Sequence, residues 1–317
     1  YIQGGKMVKY TLQRLVLIFF TLFIILSLSF ILIKLLPSYP PLDPNMDPQQ
    51  WINMQEKWGY DKPVFIQYLM WLRNVILYWD WGVSTEYRLG EDTFVILTEF
   101  LPVTMRLNII SFLISMPLGL LFGIIAALRK NKPTDYIISF LVIIFISVPS
   151  FVLVTVMMLN ANNWGLPTQY RAADMVTYKD MIIPVLALAF GPIATLTRYT
   201  RAELIEVLTS DFILLSRTKG LNRFHSTVRH ALRNSMVPLI PIVIGNFIGI
   251  LFGSLVIERI YRVPGVGDIL IQSIGIKDYN LTMTALAFYT IIGLFATLLV
   301  DLSYGFVDPR IRMGARK

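Results

Sequence analysis

Long apolar runs alternate with short polar stretches along this chain, and two polar insertions break the rhythm. Six runs reach the roughly 20 mostly apolar residues that a helix needs to cross a bilayer. They cover residues 12–36, 101–128, 136–159, 181–199, 236–257 and 281–306. Helix is the state expected for each, because backbone groups in lipid must be paired within the segment or in a closed barrel, and the alternation of a barrel strand is missing. The fourth run is the weakest, being interrupted by Pro184 and Pro192. The pattern therefore predicts an all-α membrane protein of about six transmembrane helices. Its parts are a tail (1–11), a first transmembrane helix (12–36), an insertion (37–100), a five-helix body (101–306) and a second tail (307–317). Tyr1 to Lys6 are expected to be a foreign remnant ahead of Met7.

The insertion at 37–100 is too long for a connector. Asp47-Pro48 reads as a helix cap followed by proline at the first helical position. Val64, Tyr68, Leu69, Leu72 and Ile76 recur at helical spacing, so 63–77 is expected to form an amphipathic helix on a membrane interface. It suits a cap, a dock for an outer partner, or a structural collar. The second insertion, about 200–235, extends the fourth run as Arg201 to Leu208, after which Ser210 or Asp211 can cap a new helix. Gly220 marks a turn between two short helices, the second bearing Val228, Ala231 and Leu232 among Arg229, Arg233, His225 and His230. On composition alone this is an ordinary basic loop.

Within the runs, Gly245, Gly249 and Gly253 fall four residues apart, and small residues at that spacing let helices approach closely. They are read as helix-packing positions, within this chain or at a subunit interface, and Gly119 and Gly123 repeat the pattern. Pro117, Pro149, Pro184, Pro192, Pro238 and Pro241 interrupt runs or their ends. Lys34, Glu99, Arg106, Glu258 and Asp301 sit near run ends, where snorkelling or interfacial pairing accounts for them.

Composition sharpens this picture. A hydrophobic fraction of 55% with 15% charged residues describes a chain whose main solvent is lipid, as does a mean hydropathy of +0.62. The net charge of +8 is the excess Lys and Arg of cytoplasmic loops, not a nucleic-acid surface. Most of the 28 basic residues fall on one face if the N-terminus is inside, while Asp43, Asp47, Glu56, Asp61, Asp80, Glu86, Glu91, Asp92 and Glu99 fall on the other. Both termini are thus expected in the cytoplasm. All 6 tryptophans lie in the predicted outer segments, as an aromatic interface belt would. Cysteine is absent, and the two histidines lie in a basic polar stretch, so no metal site and no catalytic centre is expected. No phosphate-loop signature occurs, so any nucleotide driving this protein binds another polypeptide.

Several segments resemble the permease family of peptide and nickel ABC importers, especially its oligopeptide branch. Glu206 to Ile213, Arg217 to Leu221 and His230 to Pro238 look like that family's EAA loop, here about 206–238. Leu196 to Arg201, Val263-Pro-Gly-Val-Gly-Asp268, Lys277-Asp-Tyr279, Asp308-Pro-Arg-Ile-Arg312, Asp61-Lys-Pro63, Gln67-Tyr68 and Trp81-Gly82 are further matches. Leu214, Leu215 and Thr218 depart from the usual pattern.

The resemblance implies a type I ABC importer permease fold in the bacterial cytoplasmic membrane, with an extracytoplasmic helical insertion after the first span. It implies that this chain forms half of a pore for oligopeptides beside a second homologous permease. Two ABC ATPase subunits would carry ATP and Mg, and an external peptide-binding lipoprotein would deliver the peptide. No cofactor is expected on the chain itself. Ser216, Arg217, Thr218, Lys219, Gly220 and Leu221 are implied to form the ATPase-coupling contact. Importers of nickel or other small ligands share these motifs and remain the alternative.

Overall fold

The computed structural model describes residues 2–35, 47, 49–50, 52–53, 56, 59, 61–171, 175–218, 222 and 226–307, with backbone alone at 2–10, 212, 214, 216–217, 228–229 and 304–307. Five helices among these are long and apolar enough to cross a membrane, and a bent pair supplies a sixth span if counted as one. The chain divides into two compact units, one of Tyr1–Leu101 and Ile269–Leu294, the other of Pro102–Asp268 and Phe295–Lys317.

The first unit holds α1 (Ile2–Lys34), α2 (Val64–Arg73) with a π turn at Asn74–Tyr78, and the first residues of α3 (Thr93–Leu128). It also holds most of α10 (Val266–Gly275) and the first half of α11 (Tyr279–Val307). The amphipathic helix expected at 63–77 is α2 with its π turn. Its Tyr68 and Trp71 rings pack on Phe30 of α1, with centroids 5.5 and 5.4 Å away, and the Tyr68 hydroxyl lies 2.6 Å from that of Ser27. Asp47 accepts from the Gln49 amide at 3.2 Å, as its capping position requires. Trp81 is buried with Val75 and Ala287, and Trp71 and Phe94 close over them.

Two motifs nearly 200 positions apart meet here. The Asp278 carboxylate accepts from the Ser84 hydroxyl and from the amides of Glu86 (3.2 Å) and Tyr87 (3.0 Å). Asn280 donates to the Val83 carbonyl at 2.8 Å. Gly82 has φ +92°, and a Cβ there would lie 3.3 Å from the Asn280 amide nitrogen. Trp81-Gly82 and Lys277-Asp-Tyr279 are thus two halves of one latch.

The second unit packs α4 (Pro133–Ser147), α5 (Ser150–Asn160) and α6 (Tyr178–Leu208) together. It continues with α7 (Asp211–Thr218), a π turn at Ser226–Leu232, α8 (Ile240–Ile248) and α9 (Leu255–Tyr261). The run predicted as a single third span is two helices, α4 and α5, bent by 99°. The cause is Pro149, which forces the preceding Val148 to extended geometry (φ −86°, ψ 119°). The fourth run, weakest in sequence, is instead one 31-residue helix that contains both Pro184 and Pro192. Its start is fixed by a capping box between Thr177 and Asp180, and Arg171 grips Asp180 at 2.7 Å from both Nε and Nη2.

The fifth run also differs from expectation. Its helical stretch ends at Leu251, not at 257. Gly253 takes φ +62° in the break that follows, and α9 begins afresh behind the Ser254 cap. Gly253 therefore does not share a helix face with Gly245 and Gly249.

Candidate functional site

Two parts of the second unit stand out: a hooked extension at one end of α6, called the lever below, and a polar cavity beside α6.

The lever begins where α6 runs past its apolar stretch to Leu208. The chain turns at Thr209-Ser210, and Ser210 spends its hydroxyl on the Val207 carbonyl (2.7 Å) while its own carbonyl accepts from Ile213. Helix α7 then folds back, because Ile213 is fully buried with Leu204, Ala127 and Ala231. Burying an isoleucine contributes about 1.5–3 kcal/mol, enough to hold a short helix of otherwise weak propensity. One turn before this, Arg201 makes a bidentate pair with Asp135 of α4, at 2.6 Å from Nε and 2.8 Å from Nη2. Asp135 also accepts from the Asn131 amide at 3.0 Å. Such fork geometry fixes orientation as well as distance. The lever is thereby tied to α4, a link the sequence did not reveal, since 66 positions separate the partners.

Of the six positions implied for ATPase coupling, Ser216 and Arg217 lie on the backbone of α7. Thr218 is exposed, with its hydroxyl donating to the Leu215 carbonyl at 2.9 Å. Lys219, Gly220 and Leu221 lie outside the described residues, and so does the turn expected at Gly220. The helix expected after it corresponds to the π turn, in which Ala231 is buried against α6 and α7.

The cavity, about 510 Å³, is walled by Asn108, Ser111, Phe112 and Ser115 of α3, Leu188 and Pro192 of α6, Pro241, Ile242, Gly245, Asn246, Gly249 and Ile250 in and beside α8, and Val300. Among the described residues no charged side chain lines it. Asn108 and Asn246 each donate their amide NH₂ to the carbonyl four residues back, at 2.8 Å, which leaves both side-chain oxygens as acceptors. Sequence reasoning missed this wall. The available signal was the spacing of Asn108, Ser111 and Ser115, which is one helix face in an otherwise apolar span.

The glycine motifs separate in the structure. At Gly123 a Cβ would lie 2.5 Å from the Thr200 Cβ and 2.8 Å from the Thr197 carbonyl oxygen, and at Gly119 it would lie 2.9 Å from the Leu196 Cβ. These two let α3 and α6 touch. At Gly245 the nearest atom is Val300 Cγ2 at 3.6 Å, and at Gly249 there is nothing within 4 Å. Val300 of α11 thus meets Gly245 at ordinary contact distance without crowding it, and none of the described residues closes on Gly249.

Glu258 is not at an interface, as its position at a run end had suggested. It is 1% exposed, and its carboxylate accepts from the Thr104 hydroxyl (3.1 Å) and the Gly267 amide (2.7 Å). A side chain on Gly253, Gly265 or Gly267 would collide with it. The Val263-Pro-Gly-Val-Gly-Asp268 motif is thus the wrapping of a carboxylate. Burial pushes that carboxyl from 4.5 up to about 7, opposed by the hydrogen bonds it accepts.

The profile of the family described as "binding-protein-dependent transport system inner membrane component" matches residues 119–313. The dipeptide transport system permease protein DppB of Lactococcus lactis subsp. cremoris is 36% identical over 308 residues, 97% of this chain and 100% of that protein. Its namesake from Bacillus subtilis is 35% identical, over 97% and 99% respectively. The oligopeptide transport system permease protein OppB of Escherichia coli K12 is 31% identical, over 96% and 100%. Among solved structures, an amino acid ABC transporter superposes with a TM-score of 0.53 at 18% identity, covering 67% of this chain and 94% of that one. The MetNI methionine ABC transporter, in inward-facing conformations, gives 0.50 at 19%, covering 71% and 98%. The all-α permease fold is therefore shared with ABC importers of known structure. This chain is a multi-pass membrane protein belonging to the family of inner membrane components of binding-protein-dependent transport systems.

Proposed function

We propose that the chain is a membrane-spanning permease subunit forming half of a peptide-import pore, driven by ATP hydrolysis on separate ATPase subunits and supplied by an external peptide-binding protein. The observation that carries the substrate class is the near full-length similarity to proteins named dipeptide and oligopeptide permeases. The physical logic of α6 and α7 supports the transport role. A pore without its own nucleotide site needs a stiff element that carries force from outside the membrane, and a 31-residue helix clamped by Arg201 and Asp135 and ending in a buried hook supplies one. In this reading residues 216–221 seat in an ATPase groove, a second permease provides the other lever, and Mg and ATP stay on the ATPases. Closure of the ATPases then rocks the helices between inward- and outward-facing states. Both termini face the cytoplasm in the bacterial membrane, and α2 with its latch faces outward.

The assembled complex in liposomes, given binding protein and ATP, is expected to accumulate labelled peptide, and absence of accumulation sinks the reading. The Gly220→Arg variant is expected to insert at normal abundance, lose uptake and lose stimulation of hydrolysis by loaded binding protein. Normal uptake would place the coupling contact elsewhere. Reporter fusions at Trp58 and Arg223 are expected on opposite sides of the membrane.

A further inference from the structure

The walls of the 510 Å³ cavity offer hydrogen-bonding capacity that the chain itself does not use. Asn108 and Asn246 commit their NH₂ groups to helix carbonyls, so their Oδ1 atoms remain as acceptors on two different helices. Ser111 is 5% exposed and makes no hydrogen bond among the described residues, while Ser115, 1% exposed, has only a long contact of 3.4 Å to the Phe112 carbonyl. Pro192, also in the wall, has no N–H to donate to the Leu188 carbonyl beside it. The Ser111 hydroxyl opens onto the cavity and is not sealed within protein, so it and the two amide oxygens are available to a polar occupant. Gly245 and Gly249 add no side-chain bulk to the wall they share with Pro241, Ile242, Asn246 and Ile250.

Two occupants fit the shape of such a trough: a helix of another subunit or an extended chain in transit. Their chemistry differs. A helix has satisfied its own backbone, so only its side chains can reach Ser111 or the asparagine oxygens. An extended peptide carries unpaired N–H and C=O groups at every residue. The walls hold two amide oxygens and two hydroxyls with no charge, which serves the main chain and is indifferent to the sign of side-chain charge. We propose that this cavity is a main-chain contact site on the peptide path, with Asn108, Ser111, Ser115 and Asn246 as its polar contacts and Gly245 and Gly249 setting its bore. The site rests on the peptide-import reading above.

Cysteine is absent from this chain, so label found on this subunit after separation of the complex reports the introduced thiol alone. Ser111→Cys and, as a control on the same helix outside the cavity wall, Leu113→Cys are each placed in the assembled complex in liposomes and challenged with a small water-soluble methanethiosulfonate reagent. Ser111→Cys is expected to react, and to react several-fold more slowly while loaded binding protein and ATP drive peptide import. Leu113→Cys is expected to show no such protection. A Ser111→Cys that reacts in the isolated subunit but is silent in the complex, or whose rate ignores the peptide while import proceeds, overturns the site and leaves a helix-docking face. An unmodified complex that imports no peptide overturns the transport reading itself, and the site with it.

Discussion

Gly119 with Gly123 and Gly245 with Gly249 share one spacing in two apolar helices, yet the structure uses them in opposite ways. The first pair is pressed against α6, where Thr200 and the Thr197 carbonyl leave no room for a methyl group. The second faces a cavity. Small residues on a helix face therefore report only that bulk is unwelcome there. Whether the excluded bulk would strike a neighbouring backbone or fill a passage depends on what lies opposite.

The largest expected effect comes from breaking the packed pair. In Gly123→Ala the new methyl meets a backbone oxygen that cannot move aside without displacing α6, and overpacking of this kind costs about 1–3 kcal/mol. The thermal midpoint of the purified complex should fall. Adding Thr200→Ala removes Cγ2 but leaves the Thr200 Cβ and the Thr197 carbonyl in place, so rescue should be partial at most, and complete rescue would show that Cγ2 alone sets the fit. Next in size is Asp135→Asn, which strips Arg201 of its fork partner one turn further along the same helix. Loss of charge-assisted hydrogen bonds to a guanidinium still one-third exposed should cost about 1–3 kcal/mol, again read as thermal midpoint. A loss in uptake well beyond the loss in stability would mark the pair as part of the lever.

The open pair should behave differently. Gly249→Ala should leave stability within about 0.5 kcal/mol of the parent chain, while Gly249→Leu should keep assembly and reduce uptake, most for peptides with bulky side chains. A Gly249→Ala as damaging to stability as Gly123→Ala would erase the contrast between the pairs. The third set of glycines cages Glu258, and the test there reads a dependence on pH, not an absolute loss of stability. Because burial raises its folded-state pKa from 4.5 to about 7, its contribution to stability is full below about pH 4.5 and is lost as pH rises through 7. Glu258→Gln should flatten the dependence of the thermal midpoint on pH across that window, and an unchanged slope would assign the dependence to another group.

The sequence by itself determined the helical state, the approximate spans and the two insertions, because lipid imposes a local rule: every segment in it must pair its own backbone and present apolar side chains. It also marked α2 through helical periodicity, and the lever through the run on past the fourth span into Asp211. Neighbouring positions alone decide such features. Tertiary structure decided the rest, since those outcomes depend on residues far apart in the chain. Pro149 bends its span by 99° while Pro184 and Pro192 stay within one helix, although local sequence treats all three alike. Asp278 with Ser84, Asp135 with Arg201 and Glu258 with Thr104 are polar pairings whose partners are 194, 66 and 154 positions apart. No periodicity encodes such pairs, because each exists only once the helices have packed and a buried polar group must find whatever donor or acceptor the fold has brought within reach.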